Sequence, residues 1–300
     1  MKINYVCLGS FCHPKIFIRN TNREIGESLP FDFHSSPNTH SIYYILEKLH
    51  EDKTFIHQFN KILFEHDHNQ QNKKQLAVQD STDMFFLHFF DLDDLTDKNI
   101  QYPASSDYLK EEKIIEIQQK FKKRYKKLYS ILNDENDIVV FLRIENYENP
   151  NWKDDLNQLT EILSKFNNKN KYLIYTQKNI DKDLDFFNLY QFNYNYNIPV
   201  MLHSYLFDEK ITINENENKK FKHLIESFET LLNNCIYIDI NNEIKPYYYD
   251  SENLLLIQFD NLNSIIQATY LDSKYIELIL EDEEYIFLKN DNDNIYNSIS

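Results

Sequence analysis

The spacing of apolar residues switches repeatedly between strand-like and helix-like periods, and the switches mark the elements. Ile3-Asn4-Tyr5-Val6-Cys7-Leu8 alternates over a short stretch and predicts a strand ending at Gly9. A helix is expected over Cys12–Asn20, with Ser10 as N-cap and Pro14 in the first turn. Ser28–Pro37 holds two prolines, Pro30 and Pro37, and reads as loop. Ile42, Ile45, Leu46 and Leu49 repeat at helical spacing, so Thr39–Leu49 is predicted helical. Phe55–Phe64 is mixed, and the polar stretch His66–Lys74 reads as an exposed connection. Asp83–Phe90 is an aromatic run expected to form a buried strand that breaks into the acidic loop Asp91-Leu92-Asp93-Asp94. Tyr108–Leu132 is a long amphipathic helix with Lys and Arg on its outer face. Asp137–Ile144 is apolar without alternation, as in a central strand. Trp152–Phe166 is helical in pattern, and Lys171–Thr176 is another short strand.

Strand and helix thus alternate through residues 1–210, which predicts an α/β or α+β layered domain. Residues 211–300 read differently. A helix over Asn214–Asn234 precedes strand-like segments at 236–240, 254–259, 275–280 and 285–288, a small β-rich unit placed at 235–290. Residues 291–300 are expected to fray.

Composition narrows the function classes. The chain has 32 Lys+Arg against 48 Asp+Glu, a formal charge of −16, which disfavours a nucleic-acid partner because duplex affinity depends on neutralised phosphates. With 3 Cys and no C-x-x-C pair, neither a disulfide framework nor a zinc or redox motif is expected. No secretory signal and no apolar run long enough for a membrane span is seen, so the expected location is cytoplasmic, with signal-independent secretion left open. The 2 glycines, Gly9 and Gly26, exclude Gly-rich phosphate loops; Asn and Asp take over the turns. A glycine kept at Gly9 is expected where a side chain would clash.

The chemistry candidates gather around that glycine. Cys12, at the expected start of a helix, would meet unpaired backbone N–H groups and a positive dipole end, both of which favour thiolate and can hold an oxyanion. Cys7 and Cys235 lie in strand-like runs and read as buried and inert. A thiol nucleophile needs a histidine and a group to orient it. His88, in the aromatic strand ahead of the acidic loop, is the leading base, with His203 the runner-up. Asp91 or Glu145 is the third group, and both stay open. Arg143, Asn146 and Asp32 are candidate substrate contacts together with Gly9 and Ser10; Asp32 reads rather as a cap of the following turn, and Arg143 with Glu145 also reads as a strand-end ion pair. His40, His50, His57 and His223 read as solvated, and the H-x-H pair His66 and His68 lacks a third ligand. Lys120–Lys127 reads as a solvated helix face. No metal site and no cofactor are expected.

These residues fall in an order that resembles the family of putative papain-like cysteine peptidases, a domain family of unknown function. Shared features are the turn Leu8-Gly9-Ser10-Phe11-Cys12, the stretch Pro30-Phe31-Asp32-Phe33, a strand-end His near an Asp (His88 and Asp91), and a strand closing in Arg143. The family pattern has His directly before Asp, where Phe89 and Phe90 intervene here, and Trp where Phe33 stands. The resemblance covers residues 1–210 and implies Cys12 as nucleophile and His88 as base.

The leading expectation is a papain-like cysteine hydrolase (peptidase, amidase or acyl transferase) acting on a peptide, amide or acyl substrate. One rival is an inactive binding protein on the same scaffold, meeting a protein partner through its C-terminal unit. The other is a metal-assisted sugar or nucleotide transferase holding Mg²⁺ or Mn²⁺ on Asp91, Asp93 and Asp94.

Overall fold

The computed structural model describes residues 2–9, 13–21, 28–32, 39–68, 73–145, 150–168, 170–177, 192–193, 196–198, 200–204 and 215–233, and in the tail 235–240, 243–250, 255–258, 265–272, 275–280, 283–289 and 295–298. It divides into two units, Met1–Asp185 with Tyr196–Lys219, and Phe186–Asn195 with Lys220–Ser300. In chain order the elements begin β1 (Ile3–Cys7), α1 (His13–Asn20), α2 (Thr39–Asp52), β2 (Phe59–His68), β3 (Lys73–Asp80), β4 (Phe85–Asp91) and β5 (Ala104–Ser105). They continue through α3 (Glu111–Leu132), β6 (Ile138–Ile144), α4 (Trp152–Ser164), β7 (Lys171–Gln177), β8 (Phe192–Asn193), β9 (Val200–Ser204) and α5 (Glu215–Asn233).

Every residue of β6 and β7 is buried, as their unbroken apolar runs require of strands covered on both faces. β1 pairs with β6, β6 with β7 and β7 with β9, all parallel, so their carboxyl ends share one edge. The second sheet of this unit is antiparallel, in the order β4-β3-β2-β5. Helices supply the rest of the core. Ile42, Ile45, Leu46 and Leu49 of α2 are buried with Leu156, Leu159, Ile162 and Leu163 of α4 in one cluster. Ile117, Phe121, Tyr125, Leu128 and Leu132 form the buried stripe of α3, spaced three or four apart as a helix needs to hold one face inward. Glu111 and Glu112 stand in the first turn of α3, where carboxylates complement the helix dipole. The first unit is therefore mixed α/β, with parallel and antiparallel sheets plus helices, as expected.

Two local expectations are corrected. The polar stretch His66–Lys74 is not simply a connection: β2 runs on to His68 and β3 starts at Lys73, with His66 opposite Gln75 and His68 opposite Lys73. Backbone pairing, which is blind to side-chain polarity, carries this hairpin past its last apolar residue. Nor is all of the tail frayed, because Ile295–Ser298 is a strand. In the second unit that strand, β16, closes a barrel with β10 (Cys235–Ile240), β11 (Glu243–Asp250), β12 (Leu255–Gln258), β13 (Ile265–Asp272), β14 (Tyr275–Leu280) and β15 (Glu283–Lys289). Neighbours around the barrel are antiparallel except β10 and β16, which pair parallel to shut it. Closure leaves no open sheet edge. Among the described residues, no helix is long and apolar enough to cross a membrane.

Candidate active site at the carboxyl edge of the parallel sheet

At the end of β1 the amide of Leu8 still donates to Leu142 O at 2.8 Å, extending the pairing by one residue. The chain then turns at Gly9, whose φ is 72°. That left-handed conformation costs a residue with a Cβ roughly 1–2 kcal/mol, so a glycine survives here for a steric reason. Helix α1 begins four residues later, at His13.

Beside the turn, Arg143 is fully buried near the end of β6 and holds three acceptors. Its Nη1 donates to Leu8 O at 2.8 Å, its Nε to Glu145 Oε1 at 2.7 Å and its Nη2 to Glu145 Oε2 at 3.1 Å. Arg143 and Glu145 are two apart on a strand and so share a face, which lets the guanidinium fork grip the carboxylate with both arms. The amide of Glu145 donates to Thr176 O at 2.8 Å, tying the exit of β6 to β7. Both carboxylate oxygens of Glu145 are bound by Arg143, so the two form an ion pair at the strand end. The pair fixes the carbonyl that precedes Gly9, and through it the direction of the turn.

Asp32 is buried as well. It accepts from the amide of Leu29 at 2.6 Å, and its Oδ2 lies 3.2 Å from Lys15 Nζ on α1. Burial pushes its carboxyl above the usual carboxylate range, against the pull of Lys15, the Leu29 amide and Arg124. Its role as a turn cap is therefore visible in the bonds it makes. Cys7 is buried too, and burial, with the charge of Asp32, raises its thiol well above the ordinary value. It is an inert thiol, as its strand position implied.

Cys12, Ser10 and Asn146 lie outside the described residues. His88 is on the antiparallel sheet, exposed on β4, with its Nδ1 3.2 Å from Gln75 Oε1 and its ring centroid 6.3 Å from that of His66. Asp91 caps the 3-10 turn Leu92–Asp94: its side chain accepts from the Asp93 amide at 3.0 Å, while Asp94 Oδ2 accepts from the Asp91 amide at 2.8 Å. Asp93 pairs with Lys98 at 2.5 Å, so the acidic loop spends its carboxylates on its own turn and a lysine. Among the described residues no group of three or more His, Cys, Asp or Glu could hold a metal ion. His203 stands opposite Thr176 in the β7–β9 register, on the carboxyl edge that Gly9 and Glu145 share.

The structure also places one histidine that the sequence reading set aside as solvated. His57 is fully buried, its Nδ1 2.6 Å from Asp80 Oδ2 and its Nε2 2.9 Å from the Tyr125 hydroxyl. Burial lowers its pKa despite the pull of Asp80, so the ring is neutral at pH 7. It then donates from Nδ1 to the carboxylate and accepts from Tyr125 at Nε2. The Asp-His-Tyr line imitates a catalytic relay, yet no solvent or substrate reaches it, and it serves the core. A signal was present: Phe55, His57 and Phe59 alternate with the exposed Ile56 and Gln58, which puts the histidine on the apolar face.

Residues 3–183 match the family model described as "Putative papain-like cysteine peptidase". The chain belongs to this family. Its mixed α/β architecture is consistent with a papain-like α+β layered fold. Among curated proteins and among solved structures nothing matches the chain. Within the match, the Leu8-Gly9 turn, Asp32 and the Arg143 ion pair belong to the described structure, whereas the barrel of β10–β16 lies beyond its end.

Proposed function

We propose that this member of the putative papain-like cysteine peptidase family is a thiol hydrolase of peptide or related acyl bonds, with Cys12 as its nucleophile. The turn at Gly9 carries the reading. A strand of an open α/β layer reverses at its carboxyl end through a residue that only glycine suits, and three residues later in sequence stands a cysteine directly ahead of a helix. The crevice at the carboxyl ends of parallel strands is where such layers bind ligands, and a helix start lowers a thiol's pKa. In the reaction the thiolate adds to the acyl carbon, and the charge on the carbonyl oxygen meets N–H groups of the first turn of α1, His13 and Lys15 (Pro14 has none). The C–N bond breaks as the histidine returns its proton to the leaving amine. Water then cleaves the thioester with the same histidine as base.

Two histidines compete for that role. His88 is the one the order of family motifs implies, and His203 is the one whose backbone stands on the same sheet edge as Gly9. Labelling with a thiol-directed electrophile at pH 7 decides. Cys12 reacts ahead of Cys7 and Cys235, and the preference disappears in whichever of His88→Ala and His203→Ala lacks the base. Equal labelling of Cys12 and Cys235, or a preference untouched by both variants, overturns the proposal. A second reading, an inactive binding protein, draws on the closed barrel that follows the family match. It requires that Cys12→Ala leave partner binding unchanged while no thiol preference is seen.

A further inference from the structure

The outer flank of α3 borders a cleft of about 490 Å³, a size suited to a small molecule. Glu116, Lys120, Lys123 and Lys127 line it at helical spacing, joined by Arg124. In a chain of formal charge −16, this gathers four cations against one carboxylate. That carboxylate, Glu116, is already taken by Lys113, 3.2 Å away.

Arg124 is the least expected of the group. Its guanidinium lies over the rings of Phe89 and Phe121, 5.7 and 5.0 Å from their centroids, and Lys120 Nζ lies 5.3 Å from the Phe89 centroid. One terminal nitrogen, Nη1, is buried with no hydrogen-bond partner. Among the described residues no ion pair involves Lys120, Lys123 or Arg124. Burial lowers the pKa of both Lys120 and Arg124; the charge of Arg124 lowers Lys120 further, while Glu116 pulls Lys120 and Asp32 pulls Arg124 the other way. A guanidinium stays charged, and the carboxylate that pulls on Arg124, Asp32, is itself held by Lys15 and the Leu29 amide, so half-burial remains costly. The aromatic floor fixes its plane in advance of any partner.

We infer that this cleft binds a small phosphorylated anion, with Arg124, Lys120 and Lys123 as its principal contacts. A phosphoryl group concentrates charge and several acceptor oxygens on one centre, which suits a pre-oriented guanidinium fork flanked by ammonium groups. The carboxylates of an acidic peptide carry one charge each and are spread along a chain. A nucleic acid needs an extended basic track and meets strong repulsion from the rest of this acidic protein. The local cations still dominate within the cleft, because charges farther away than about 8 Å are largely screened at physiological salt. This site is independent of the role proposed for Cys12.

The test is calorimetric titration of the full chain with inorganic tripolyphosphate, with sulfate at matched ionic strength as control. One-to-one saturable binding is expected, weakened by about tenfold or more in Arg124→Gln and in Lys123→Gln, as loss of one charged contact implies. Lys123 is exposed, so that variant folds even where Arg124→Gln does not. Lys122→Gln and Lys126→Gln, exposed on the other flank of α3, leave binding within about twofold, since their charges lie outside the cleft. No saturable binding, equal losses across both pairs of variants, equal binding of sulfate, or tighter binding of poly-glutamate or a single-stranded oligonucleotide would each overturn the inference.

Discussion

Replacing Asp80 by alanine removes an acceptor that four donors share deep in the first unit. Its Oδ2 accepts from His57 Nδ1 at 2.6 Å, and its Oδ1 accepts from the Thr82 amide at 2.9 Å, the Thr82 hydroxyl at 2.8 Å and the Met84 amide at 3.0 Å. These last bonds shape the turn between β3 and β4, where Asp83 sits at φ 63°, and the turn is tied to α2 by the Ser41 hydroxyl donating to Thr82 O. Thr82 is near the surface and recovers water, whereas His57 and Met84 are fully buried and do not. Two buried donors left unmet cost roughly 1–3 kcal/mol each, so the loss is about 3–5 kcal/mol once the turn loosens. In a unit of this size that lowers the melting temperature by roughly 10 °C. Asp80→Asn discriminates the cause. Asparagine keeps the oxygen for Thr82 and Met84, and its amide can donate to the other tautomer of His57, which then donates to Tyr125; its cost is about 1 kcal/mol. Urea denaturation followed by fluorescence of the sole tryptophan, Trp152, stacked 6.3 Å from Tyr175, reads this unit directly. A loss below about 1 kcal/mol for Asp80→Ala, or equal losses for Asn and Ala, would refute the hydrogen-bond reasoning.

Two further outcomes follow from the same structure. Because burial lowers the pKa of His57, the unfolded chain takes up a proton before the folded one does as the pH falls. The contribution of His57 is complete above about pH 6.5 and is lost below it at up to about 1.4 kcal/mol per pH unit; a His57→Gln protein shows a shallower loss between about pH 7 and 5, and parallel slopes would contradict this. Gly9→Ala forces a Cβ into the left-handed region at the end of β1 and lowers the urea-derived stability by about 1–2 kcal/mol, whereas an unchanged midpoint would show that the turn relaxes freely.

The parts of the fold legible in the sequence are those where one residue pattern decides one environment. Asp137–Ile144 lacks alternation because both faces of β6 are covered, and α3 shows its buried stripe because its other face meets water. β3 was illegible: Lys73-Lys74-Gln75-Leu76-Ala77-Val78-Gln79-Asp80 has three consecutive apolar residues, and its pairing with β2 and β4 rests on backbone bonds between distant segments. The same holds for the candidate site. The Arg143–Glu145 pair was readable from its spacing of two, since a charge on a buried strand needs a partner on its own face. Asp80 could not be matched to His57 across 23 residues of sequence, nor could Asp91 be recognised as a cap while a histidine three residues away offered it a more interesting use.

The most direct test of the central claim is the pH dependence of Cys12 alkylation in the full chain, followed site by site by mass spectrometry. Cys7 is excluded from the readout by burial, which keeps its thiol protonated. A nucleophilic Cys12 gives a rate whose inflection falls well below about 8.5, the value of an ordinary thiol. An inflection at or above that value would contradict the proposed function.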